Sequence, residues 1–132
     1  MKLITRDTDY ALRALSFIAR NKKKIITASD LVKKLSIPRP FLRKILQELN
    51  KAGILKSHRG SGGGFLLARP ANKIFLVDLI KEFQGPLQLN ECLLKKIPCP
   101  NKKSCLLRKK IDNIEKYVLR ELKAITVSSL LK

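Results

Sequence analysis

The side chains with the most chemistry to offer are three cysteines, Cys92, Cys99 and Cys105, spaced Cys-x6-Cys-x5-Cys, with Pro98 and Pro100 on either side of the middle one. Thiolates are ligands for soft metals and clusters, and the neighbouring Lys95, Lys96, Lys102 and Lys103 favour the ionised form. The spacing is neither the Cys-x2-Cys of a structural zinc site nor that of a ferredoxin run. Taken alone it leaves open a shared inorganic centre, three unlinked thiols and a facultative disulfide. A four-coordinate centre also wants one more ligand, and the only histidine, His58, lies far from the thiols in the chain. An odd number of cysteines confined to one stretch argues against a secreted disulfide framework.

The second chemical resource is positive charge. Lys and Arg number 29 against 10 acidic residues, a formal net charge of +19. Two copies in a dimer would carry twice that, and the compact state survives such repulsion best with a polyanionic partner, although a solvated lysine-rich surface would give the same composition. Patterning says where a polyanion would sit. Phe41, Leu42, Ile45, Leu46, Leu49 and Ala52 recur at helical spacing, leaving Arg39, Arg43, Lys44 and Gln47 on or near the other face. The helix starts near Pro38 to Pro40, where missing backbone donors cost nothing. Before it, Ala28 to Leu35 forms a shorter helix with Ala28, Leu31, Val32 and Leu35 inward, opened by Thr27 with Asp30 three residues on, a relative of the capping box. Two helices joined by the Ser36-Ile37 turn are the parts of a helix-turn-helix, whose second helix places its N-terminal residues at base edges in the major groove.

The stretch Asn50 to Arg69 completes the motif. Gly53 suits the left-handed residue that ends a helix, and Gly60, Gly62, Gly63 and Gly64 permit a tight reversal between strands Ile54 to His58 and Phe65 to Arg69. This is a β-hairpin with a basic tip, His58-Arg59-Gly60-Ser61, and it reads as the wing of a winged helix. A phosphate-binding loop would need a helix after the glycines, and Pro70 halts a strand there instead.

Elsewhere, Thr8 to Arg20 carries an apolar stripe for a first helix, Ile25-Ile26 suits a short strand, and Asn72 to Phe75 a turn and another. Leu76 to Phe83 is a helix closed by Gln84-Gly85-Pro86. From Leu87 to Ser104 no period survives, and the thiols sit in that loop. Cys105 to Leu122 is the longest helical pattern, with Leu107, Ile111, Ile114 and Val118 in steps of three and four, a seam that Glu121 interrupts. Such a helix usually needs a partner, with packing on its own domain as the alternative. Thr126 to Leu131 adds one more turn. The expectation is a mostly α fold with a small β-hairpin: a winged helix-turn-helix domain over 1–84, a cysteine-bearing loop over 85–104, and a dimerisation helix and tail over 105–132. Neither a signal peptide nor a membrane span is present, so the chain is expected in the cytoplasm. One histidine and few carboxylates leave little catalytic material, so no enzyme is expected.

Several segments together resemble the IscR/NsrR-type bacterial transcription regulators. They are Thr8-Asp9-Tyr10-Ala11-Leu12-Arg13-Ala14-Leu15, Lys51-Ala52-Gly53-Ile54-Leu55 with Ser57, Arg59-Gly60 and Gly63-Gly64-Phe65-Leu66-Leu67-Ala68-Arg69, followed by the three cysteines and the long helix. The resemblance implies a homodimer on a pseudo-palindromic double-stranded operator, with an iron-sulfur cluster (2Fe-2S or 4Fe-4S) on Cys92, Cys99 and Cys105 that senses redox state, nitric oxide or cluster supply. It also implies Asp9, from the partner chain, as fourth ligand with Asp7 behind it, as in the nitric-oxide sensor, since Arg108 stands where the cluster-supply sensor has histidine. An N-terminal capping role is the ordinary alternative for Asp9. Where the family often reads Tyr-Leu-Glu, this chain has Phe41-Leu42-Arg43, which puts Phe41 among the DNA contacts and exchanges an acid for a cation suited to guanine or phosphate. Arg59 is the residue expected in the minor groove. The alternatives from other classes are a thiol- or zinc-based winged-helix regulator without a cluster, and a basic RNA-associated protein.

Overall fold

The computed structural model describes residues 2–21, 25–60, 62–87, 89 and 105–131. The first helix, α1 (Arg6–Arg20), begins two residues before the sequence pattern suggests and buries Thr8, Ala11, Ala14, Leu15, Ile18 and Ala19. Next, α2 (Ala28–Leu35) opens on a full capping box: the Asp30 backbone N–H donates to Thr27 Oγ1 at 3.1 Å and the Thr27 N–H donates to Asp30 Oδ2 at 3.0 Å. Two orphan donors are thereby satisfied at the cost of no core space.

The following helix, α3 (Arg39–Lys51), has Pro38 as its N-cap and Pro40 in its first turn. Its end is fixed by backbone geometry. Gly53 adopts φ +75°, its N–H donates to the Asn50 carbonyl at 3.2 Å, and the Ile54 N–H reaches back to the Leu49 carbonyl at 3.0 Å. This is a Schellman termination, in which glycine occupies the left-handed position without a Cβ penalty. The chain then enters the wing, β1 (Leu55–His58) paired antiparallel with β2 (Gly64–Leu67), Leu55 opposite Leu67 and His58 opposite Gly64. The expected Ile25-Ile26 strand exists as a single bridge: Ile26 and Phe65 exchange both backbone hydrogen bonds, at 3.1 and 2.8 Å. At Gly64 a Cβ would stand 2.5 Å from the Ile26 carbonyl oxygen, so the bridge requires glycine there.

After a 3-10 turn (Ala71–Lys73), α4 (Leu76–Gln84) closes at Gly85 with φ +84°. The last helix, α5 (Leu106–Lys123), is 18 residues long. The chain then returns to the body: Phe75 bridges Thr126, the Leu76 N–H donates to Ile125 and the Val127 N–H donates to Ile74. Val127 is fully buried in the main core beside Leu15, Leu31, Leu42, Leu49, Ile74 and Leu79. Each such side chain contributes roughly 1.5–3 kcal/mol relative to exposure. A second small cluster, Leu76, Ile80 and Leu122 with Val118, Leu12 and Ile4 against it, seats the C-terminal half of α5 on α4 and α1. The fold is mostly α with one two-stranded hairpin, a winged helix-turn-helix followed by a long C-terminal helix. Among the described residues no helix is long and apolar enough to cross a membrane.

Candidate nucleic-acid interface and thiol site

Helix α3 separates its faces sharply. Leu42, Ile45, Leu46 and Leu49 are buried, while Arg39, Arg43, Lys44 and Gln47 are exposed on the opposite side. Phe41 departs from the inward assignment its spacing suggests: it is 38% exposed. It lies in the first turn, which projects past the core, and one residue of rotation from Leu42 carries it off the buried stripe. Its ring is instead covered by Arg6 from α1, whose guanidinium carbon lies 4.3 Å from the ring centroid. Arg39 donates to Ser29 Oγ at 3.1 Å and so ties the start of α3 to the first turn of α2. That first turn of α3 holds no acidic residue. Its unpaired N–H groups and the macrodipole add to the local cations and make this end of the helix attractive to anions.

The wing follows directly on the end of α3. His58, Arg59 and Gly60 are exposed, Gly60 at φ +104° turns the chain, and the Gly63 N–H closes the turn on the Gly60 carbonyl at 2.9 Å. Ser61 lies outside the described residues. Sequence reasoning missed Arg69: its guanidinium donates to the carbonyls of Ala52 (3.3 Å) and Gly53 (3.4 Å), so a side chain from the end of the hairpin caps the C-terminus of the reading helix. A cation at that end also opposes the negative pole of the helix. The spacing of Arg69 carries no signal of this role, which depends on the hairpin folding back.

The thiol site is seen at its edges. Cys92 and Cys99 lie outside the described residues, whereas Cys105 is a free, half-buried thiol at the N-cap of α5. Asp9 accepts from Arg13 Nε at 3.0 Å with its side chain 41% exposed. The N-cap of α1 is Thr5, so a capping role for Asp9 is replaced by an i,i+4 ion pair. No group of three metal-ligating side chains occurs among the described residues. Gln84, the last residue of α4 and the start of the stretch toward the cysteines, was not anticipated either. Its Oε1 accepts from the buried Thr8 hydroxyl at 2.6 Å and from the Thr5 N–H at 3.0 Å, and its Nε2 donates to the Leu3 carbonyl at 3.1 Å. The start of α1, which carries Arg6 and Asp9, is therefore clamped to the root of the thiol loop.

On the proposed dimer helix, Leu107 is 66% and Ile114 52% exposed, Ile111 is half-buried, and Val118 packs within its own chain against the second cluster. Leu106 and Tyr117 add to the exposed apolar surface.

A helix-turn-helix with a basic outer face, a wing capped onto the reading helix and a long appended helix define a winged-helix transcription regulator with a DNA-binding fold. The family model for Rrf2, described as iron-dependent transcriptional regulators, matches residues 4–132. The chain belongs to the Rrf2 family. Its sequence is 32% identical over 124 residues to a protein of Aquifex aeolicus described as an HTH-type transcriptional regulator, covering 92% of this chain and 86% of that one. Among solved structures it is similar to CymR, the global cysteine regulator of B. subtilis (TM-score 0.81, 24% identity, 98% and 96% of the two chains), and to T. potens IscR (TM-score 0.76, 21% identity, 98% and 85%). Membership in a family of transcription regulators sets the RNA-associated alternative aside.

Proposed function

We propose that the chain is a homodimeric, cytoplasmic repressor that reads a pseudo-palindromic operator and adjusts its binding through an iron-sulfur cluster. The observation that carries the DNA part is the exposed row Arg39, Arg43, Lys44 and Gln47 on α3, together with an exposed Arg59 in the turn of the wing that follows it. Arg43 suits a bidentate contact to guanine, and Arg59 suits a narrow minor groove. The dimer part rests on Leu107, Ile114 and Tyr117, large apolar side chains left in solvent on one helix. Burying them against a second copy supplies what the single chain lacks.

The donor set fits a cluster: three thiolates and a carboxylate are ligands that iron-sulfur centres accept, and Cys105 is free and half-buried at the start of α5. Cys92, Cys99 and Cys105 would hold it, with Asp9 of the partner subunit as fourth ligand once released from Arg13. When bound, such a group supplies redox and nitric-oxide chemistry and offsets the negative charge of its ligands. The protein's own part is mechanical. Cys105 begins the dimer helix, and Gln84 fastens the root of the loop to Thr5 and Thr8 at the start of α1. Changes in the loop therefore reach the element that touches α3, and two reading heads at a fixed half-site spacing respond to small changes in separation.

A second reading, direct thiol sensing without a cluster, is favoured by one observation: the Asp9 carboxylate is already engaged by Arg13. Anaerobic purification with iron and sulfide analysis and an absorption spectrum separates the two. Stoichiometric iron and sulfide in a coloured protein supports the cluster; a colourless protein whose operator affinity follows thiol oxidation supports the second reading. Equal operator affinity with and without cluster would mean that the cluster does not sense.

A further inference from the structure

Cations gather at the start of α3, the positive end of that helix. Arg39 is the first residue of α3, no acidic residue stands in its first turn, and Arg6 is stacked on Phe41 in that same turn. Arg6 is itself the first residue of α1, in a first turn that also carries Asp7 and Asp9. Among the described residues its one ionic partner is Asp7, through Nε at 3.4 Å, with both side chains exposed, a geometry of small energetic consequence. Among the described residues its terminal nitrogens have no hydrogen-bond partner. Stacking engages the face of a guanidinium and leaves its edge open, the edge that forms paired hydrogen bonds to a phosphate. An apolar ring 38% exposed at the tip of a reading helix is thus a platform that holds the fork in place.

We propose that Arg6 is a DNA phosphate contact, positioned by Phe41, which makes the N-terminus of α1 a third DNA-facing element beside α3 and the wing. A phosphate oxygen at this place meets the Arg6 and Arg39 guanidinia and the N-terminal pole of α3, whose first turn holds no acid. The proposal rests on the reading in which the N-terminal end of α3 enters the major groove. It also puts the phosphate contact on the same helix end that Gln84 clamps to the root of the thiol loop.

A phosphate contact is independent of sequence, so the probe is a short random-sequence duplex titrated over a range of salt concentrations. Each phosphate neutralised contributes about 0.9 to the slope of log affinity against log salt. Arg6→Gln is expected to lower affinity at low salt and reduce the slope by about 0.9 per protomer, leaving the melting temperature close to that of the parent. Arg6→Lys should keep the slope and lose several-fold in affinity, because a point charge replaces the fork. Phe41→Leu should also lose several-fold, since the guanidinium is no longer held. If Arg6→Gln binds with the parent's affinity and slope, or changes only the melting temperature, the assignment is overturned. If the unaltered protein itself shows no salt-dependent binding, the DNA reading falls with it.

Discussion

Replacing Gly64 by alanine tests how the wing is anchored to the body. The new Cβ would lie 2.5 Å from the Ile26 carbonyl oxygen, 2.8 Å from its carbonyl carbon and 2.8 Å from Ile25 Cγ2. Two of those three atoms are backbone, so no rotamer change relieves the contact. The residue 26 segment and β2 must separate, and the two hydrogen bonds between Ile26 and Phe65, at 3.1 and 2.8 Å, are lost or lengthened. At roughly 0.5–1.5 kcal/mol net for each bond, the variant should be about 1–3 kcal/mol less stable. For a chain of this size that corresponds to a fall in Tm of roughly 3–12 °C, followed by circular dichroism at fixed protein concentration. Gly62→Asn is the matched comparison. Gly62 has φ +75° with open space around its Cβ position, and asparagine tolerates the left-handed region, so this change should cost well under half as much. The reasoning is refuted if Gly64→Ala melts with the parent, or if Gly62→Asn is the more damaging of the two.

Arg43→Ala should cost about 1–3 kcal/mol in operator binding and relax specificity at one position of each half-site, and Arg59→Ala should weaken binding most beside A·T-rich grooves; fluorescence titration against a set of operator variants reads both. Ile114→Glu places a charge on the exposed seam of α5 and should turn the dimer into monomers in sedimentation, whereas an intact dimer would show that this face packs on nothing. Cys99→Ala should abolish cluster assembly, while Asp9→Ala should leave a more labile cluster less coupled to DNA affinity, as measured by anaerobic spectroscopy and titration. Gln84→Leu removes the acceptor of the buried Thr8 hydroxyl and should destabilise the protein by roughly 1–3 kcal/mol in urea unfolding.

Local signals sufficed for most elements of this protein, because the physics that forms them acts over a few residues. The capping box at Thr27 and Asp30, the prolines at the start of α3, the glycine that ends it and the alternation into a hairpin are contained within short windows, and each element forms where its pattern lies. The cations of the reading helix were equally legible, since a face opposite Leu42, Ile45, Leu46 and Leu49 must be solvent. Tertiary structure decided whatever depends on two distant segments meeting. Arg69 caps α3 only because the hairpin folds back onto it, and Gln84 holds Thr8 only because α4 ends beside the start of α1. Val118 belongs to the heptad-like seam by spacing yet packs inside its own chain, because α5 lies across α4 and turns its C-terminal half inward. Phe41, apolar and at helical spacing from Ile45 and Leu49, sits at the edge of the core stripe and faces outward under Arg6, since the first turn of α3 extends beyond the core it would have to fill. Periodicity gives the angle of a side chain around its helix; only packing gives what lies at that angle.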